Sequence, residues 1–166
     1  MTLELINPPG LPVPSTYSHV AVAAGSAIVF IAGQEPEDTR GHLVGPGDLA
    51  AQARQVFANL GVAVAAAGAR PDQVAKITIY VVDYRREYLP LIEAARALLF
   101  GAHQPPDTVV GVAALSRPEY LIEVDAIAVI DRLELLAEDR CLTERKASNM
   151  APKIPRGTDL TGKSGT

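Results

Sequence analysis

Tyr120-Leu-Ile-Glu-Val-Asp-Ala-Ile-Ala-Val-Ile130 is apolar at every position except Glu123 and Asp125. Residues two apart on a strand point to the same face, so both acids project together from a strand that reads as apolar on both sides. An isolated buried carboxylate is costly unless it is paired, hydrogen-bonded or protonated. Acids kept in such a place mark a candidate functional site. The plainer alternative is an edge strand whose acids are simply hydrated.

Upstream, Val109–Leu115 reads as the preceding strand, joined to this one by a short connection holding Arg117-Pro118. Pro90 suits a helix's first turn, and a helix is predicted from there to Phe100, ending at Gly101. Val74–Val82 is rich in β-branched residues and reads as a strand. Asp48 caps a predicted helix running to Ala67. Its apolar stripe is Leu49, Ala53, Val56, Leu60 and Val64, with Gln52, Gln55 and Asn59 on the other side. Gly68 and Pro71 stop it. Two earlier apolar runs, His19–Ala23 and Ala27–Ala32, flank Ala24-Gly25-Ser26 and predict a hairpin. Before them, Asn7-Pro-Pro-Gly-Leu-Pro-Val-Pro14 has too many prolines for helix or central strand.

The order is two strands, helix, strand, helix, two strands. These five strands predict an α+β fold with a mixed sheet and two helices on one face. Two helices leave the other face uncovered, although its strands are apolar there, so a homo-oligomer is expected. The domain is expected to span residues 1–130. Residues 131–166 read as an extension, a short helix over Asp131–Arg140 and then a flexible tail from Cys141.

Residues 1–130 carry 13 acids and 8 bases. An acidic body without a basic stripe disfavours nucleic acid as a partner. No stretch is long and apolar enough for a membrane helix, and the first residues do not resemble a signal peptide. A cytoplasmic location is expected. The single cysteine, Cys141, excludes an internal disulfide, and no Cys/His spacing suits zinc. Neither metal nor cofactor is expected.

Four segments together carry a resemblance: Tyr17-Ser-His19, Ile31-Ala-Gly-Gln34, Ala51-Gln-Ala-Arg54 and Ile122-Glu-Val-Asp-Ala-Ile-Ala-Val129. Over residues 4–130 the chain resembles the RidA/YjgF family. The resemblance implies a chorismate-mutase-like subunit, a homotrimer, and small-molecule clefts between neighbouring subunits. It also implies a sheet of about six strands and hydrolysis of 2-aminoacrylate-type enamines and imines to a 2-keto acid and ammonia without metal or cofactor, although members carry endoribonuclease, translation-inhibitor and chaperone-like labels too. By position Tyr17 matches the cleft tyrosine, Gly33 the glycine whose amide faces the ligand, and Glu123 the carboxylate that holds the hydrolytic water. In Pro105-Pro-Asp107-Thr108-Val109, however, Asp107 stands where active deaminases carry a carboxylate-gripping arginine. That substitution would set an anion beside Glu123 and repel an acidic substrate. Val109 and Ala32 replace polar residues of the same cleft.

Three readings stay open on these residues. One is an enzyme for a different imine, another is a trimeric binder without turnover, and the third is an ordinary 2-imino acid deaminase in which Arg96 or Arg117 substitutes. His19, His103 and Asp125 are further cleft candidates. His42 and Arg54 read as exposed, and a nuclease role is disfavoured because no His pair or metal ligands are arranged for one.

Overall fold

The computed structural model describes residues 1–131. In chain order its elements are β1 (Thr2–Ile6), β2 (Val20–Ala24), β3 (Ala27–Gln34), α1 (Leu49–Ala66), β4 (Val74–Val82), α2 (Leu89–Phe100), β5 (Asp107–Val112) and β6 (Ile122–Ile130). This is the expected α+β architecture. Asp48 caps α1 as expected, its Oδ1 accepting from the Ala51 amide at 3.0 Å. The expected short helix and tail lie, from residue 132 on, outside the described residues.

The pairing corrects both expected hairpins. β2 pairs with β1, and the main sheet runs β3-β6-β4-β5. β6 is antiparallel to both its neighbours, and only β4 with β5 is parallel. The physical reason is length and apolarity. β6 is nine residues long and apolar save for Glu123 and Asp125, so the centre of the sheet, where both of its edges are paired, suits it best. The short β2 cannot match the eight-residue β3, which pairs instead with β6.

Period-two alternation then sorts the residues. Ile77, Ile79 and Val81 of β4, with Ile122, Val124, Ala126 and Ala128 of β6, are buried beneath α1 and α2. Val56, Phe57 and Leu60 of α1 and Ile92 and Phe100 of α2 complete that core. Burying each large side chain contributes about 1.5–3 kcal/mol. On the opposite face no helix packs among the described residues, and Ile28 and Phe30 of β3 are 61% and 77% exposed.

Gln52 departs from the expected polar side of α1. It is fully buried, donates to the carbonyls of Gly45 and Glu119 at 3.1 and 3.0 Å, and accepts from the Leu121 amide at 2.8 Å. It thereby fixes the entry of β6. Two turns on, Asn59 holds the Glu35 and Glu37 carbonyls at 2.8 and 2.9 Å.

Candidate functional site

The two acids of β6 lie on the helix-free face, opposite Tyr80 and Thr78 of β4. The Tyr80 hydroxyl donates to Asp125 Oδ2 at 2.9 Å, so Asp125 is tied to its neighbour, and that bond raises the phenol pKa above its usual 10.0. Glu123 differs. No group among the described residues hydrogen-bonds its carboxylate. Burial first, then Glu35 and Asp125, raises its pKa above the usual 4.5.

Gly33 explains how Glu123 is accommodated. The β3–β6 register shifts between Ile31 and Gln34, so Ala32 and Gly33 form a bulge, a device that re-aims side chains. The Glu123 carboxylate lies in the space a side chain at Gly33 would need, because a Cβ there would stand 1.7 Å from Glu123 Oε1. Ala32 is exposed beside it. Arg117 joins this end of the sheet as well. It pairs with Glu37 at 3.0 Å and lies 5.6 Å over the Tyr120 ring, and Tyr120 also donates to Glu37. Burial, followed by that bond, pushes the Tyr120 hydroxyl up to about 12.

Asp107 is elsewhere. Its register partner on β4 is Ile77, which faces the helices, so within one chain Asp107 and Glu123 lie on opposite faces. Within one subunit, then, they do not stand side by side. The reason is parity: Asp107 shares a face with Ile77 and Ala126, whereas Glu123 and Asp125 alternate with those positions. Asp107 instead meets Arg96, whose Nε lies 3.7 Å from Asp107 Oδ2. Arg96 is only 5% exposed, and its Nη2 donates to the Pro105 carbonyl at 3.1 Å. Burial raises the Asp107 pKa against the opposing pull of Arg96 and Lys76.

A cavity of 130 Å³ opens beside this pair, and Tyr17, Glu93 and Val109 line it together with Arg96 and Asp107. Thr16 Oγ1 donates to Glu93 Oε1 at 3.3 Å at its rim. Tyr17, His19, Lys76 and Asp107 also border a more open hollow of 510 Å³. There the Lys76 ammonium donates to Thr108 Oγ1 at 2.6 Å, and burial lowers its pKa. The His19 Nε2 is 2.7 Å from the Pro12 carbonyl and its ring is edge-on to Tyr17. His103 is 2.8 Å from the Val74 carbonyl, while His42 and Arg54 are exposed.

The candidates therefore form two groups. Glu123, Gly33, Ala32 and Asp125 share one face, and Tyr17, Asp107, Val109 and Arg96 share the pocket under α2. Sequence reasoning missed Glu93 altogether. The usable signal was helical spacing: Ile92, Ala95, Arg96 and Phe100 form one buried stripe, which carries Arg96 inward and its neighbour Glu93 to the same rim.

Among the described residues no helix is long and apolar enough to cross a membrane, and no group of three or more His, Cys, Asp or Glu side chains could hold a metal ion. The chain matches the endoribonuclease L-PSP family over residues 11–130. It is 34% identical over 125 residues to a RutC family protein of Pyrococcus horikoshii, covering 75% of this chain and 96% of the relative. A 2-iminobutanoate/2-iminopropanoate deaminase of Dermatophagoides farinae is 28% identical, with 77% of this chain and 97% of the relative covered. The crystal structure of a Rid-family protein of unknown function from Yersinia pestis superposes with a TM-score of 0.73 at 38% identity, covering 78% of this chain and 99% of that one.

Proposed function

Because the chain belongs to the endoribonuclease L-PSP family, which includes the RidA/YjgF proteins, we propose that it hydrolyses an imine or enamine without a cofactor. The cleft would lie between copies of a homotrimer. The observation that carries this reading is Glu123, a carboxylate with no hydrogen-bond partner among the described residues and a raised pKa. A carboxylate held more basic than usual suits a general base. It would take a proton from water as the oxygen attacks the C=N carbon. That proton passes to the nitrogen to give the carbinolamine; Glu123 then takes the hydroxyl proton and delivers it to the nitrogen as the C–N bond breaks, and the products are a carbonyl compound and ammonia.

Two features support assembly as a condition of turnover. Glu123 and Tyr17 lie on different faces of one subunit, so a second copy is needed to bring such groups together. The exposed Ile28 and Phe30 supply an apolar face for that copy. The substrate differs from the 2-aminoacrylate type, since Asp107 stands where a carboxylate-binding arginine is expected. A trimeric small-molecule binder without turnover is the second reading, favoured by the closed Arg96–Asp107 pair.

The test couples an imine-generating oxidase to a semicarbazide trap. Glu123→Gln should fold, assemble and lose about 10²–10⁴-fold in rate. Unchanged clearance by the variant would refute the catalytic assignment, and a mass of one 17.5 kDa subunit by light scattering would refute the trimer.

A further inference from the structure

We propose that the pocket under α2 selects a non-anionic, nitrogen-bearing end group, so that the substrates are imines of amino amides and diamines and not of amino acids. This rests on the imine-hydrolysis reading above and names its substrate class.

The argument starts from the groups that line the cavity. Arg96 is its one guanidinium, and two carboxylates, Asp107 and Glu93, share the same 130 Å³. Arg96 is fixed in place by burial and by its bond to the Pro105 carbonyl. Its charge is already matched by Asp107, whose side chain is 14% exposed. Its Nε is buried and lacks a hydrogen-bond acceptor, since 3.7 Å to Asp107 Oδ2 is too long for such a bond. The wall is thus an incompletely bonded pair with a second acid, Glu93, at its rim.

An incoming carboxylate would be the third anion around one cation in a place with little water, where like charges repel strongly. It brings no donor for Glu93 or Asp107. A primary amide brings both kinds of group: its N–H groups face the two carboxylates and its oxygen faces the remaining guanidinium N–H donors. An ammonium satisfies the carboxylates alone. A cavity of about 150 Å³ holds one benzene-sized molecule, so an end group of a few atoms fits this one. The apolar neighbours Ile79, Ile92 and Val109 take its short hydrocarbon stem. Lys76, the other nearby cation, donates to Thr108 from the open hollow and does not line this pocket. Reactions that oxidise an amine or an amino amide would supply such an imine, and the step R₂C=NH + H₂O → R₂C=O + NH₃ consumes it.

Matched ligands that differ only at this end provide the test. Binding of 2-oxobutanamide and 2-oxobutanoate to the full-length protein is measured by calorimetry, which needs no turnover. The amide should bind at least about tenfold more tightly. Glu93→Gln, a half-exposed position whose change orphans no buried charge, should narrow that ratio to below about threefold, and Asp107→Asn should do the same where it folds. Equal or tighter binding of the oxo acid, a ratio untouched by Glu93→Gln, or no binding of either ligand at millimolar concentration would overturn the proposal. If the amide is preferred but its imine is not hydrolysed, the pocket assignment stands and the catalytic reading falls. If an acidic imine is cleared and the oxo acid is preferred, the reverse holds.

Discussion

Gly33→Ala is the smallest change that should separate catalysis from folding. Gly33 is not among the positive-φ glycines, so alanine meets no backbone penalty there. The conflict is with one side chain. The new methyl would stand 1.7 Å from Glu123 Oε1, whereas ordinary contact begins near 3.4 Å, so the carboxylate must retreat by about 1.7 Å. Glu123 Cγ, at 2.9 Å, is also too close, so the side chain must change rotamer and cannot merely turn its end. Overpacking of this kind costs about 1–3 kcal/mol. The functional loss should be larger in effect, because a 1 Å misplacement of a reacting group can cost about 10²-fold. Urea unfolding and the coupled imine assay would read the two effects. The double variant Gly33→Ala/Glu123→Ala should recover the lost stability, and the non-additivity would measure the contact. If Gly33→Ala clears imine at the wild-type rate and shows no coupling to position 123, the bulge does not hold Glu123 for catalysis.

Other perturbations have definite signs. Because Glu123 is held above 4.5, chiefly by burial, the folded state binds that proton more tightly than the unfolded chain. Its unfavourable contribution is absent well below pH 4.5 and sets in as the pH rises through that value and beyond, so Glu123→Gln should gain stability at neutral pH and nothing in acid, as read from urea midpoints against pH. Asp107→Ala strands the buried Arg96 and should cost about 3–5 kcal/mol, while Arg96→Met with Asp107→Leu should be near neutral or stabilising. Asp107→Arg would set two guanidinium groups together and should be destabilising in the same unfolding assay. Phe30→Lys, at a site 77% exposed in one subunit, should leave secondary structure intact by circular dichroism but weaken self-association in sedimentation.

Local signals were legible and long-range ones were not. Asp48, the Leu49 to Val64 stripe and the β-branched run of β4 mark their own elements, because caps and periodicity act within a few residues. β1 carries no comparable signal over Thr2–Ile6 and was missed. That β6 inserts between β3 and β4 depends on partners far along the chain, which no local pattern specifies. In the site, the shared face of Glu123 and Asp125 follows from strand parity alone. The Arg96–Asp107 pair needed the fold, because an arginine between Ala95 and Ala97 looks like surface until Ile92 and Phe100 fix which side of α2 is buried.

The central place of β6 also has a consequence for how the domain is made. It supplies a ladder partner to both β3 and β4, yet it is the last of the described strands to be synthesised. Thirty-nine residues lie between the end of β4 at Val82 and the start of β6 at Ile122, which at about 5–20 residues per second is about 2–8 s of elongation. During that interval the edges of β3 and β4 that β6 will occupy are open to other chains. Closure must await contacts of large sequence separation, which are the slow ones to form. Expression should therefore be more sensitive to chaperone supply and to mutations within Ile122–Ile130 than the stability of the finished fold would suggest.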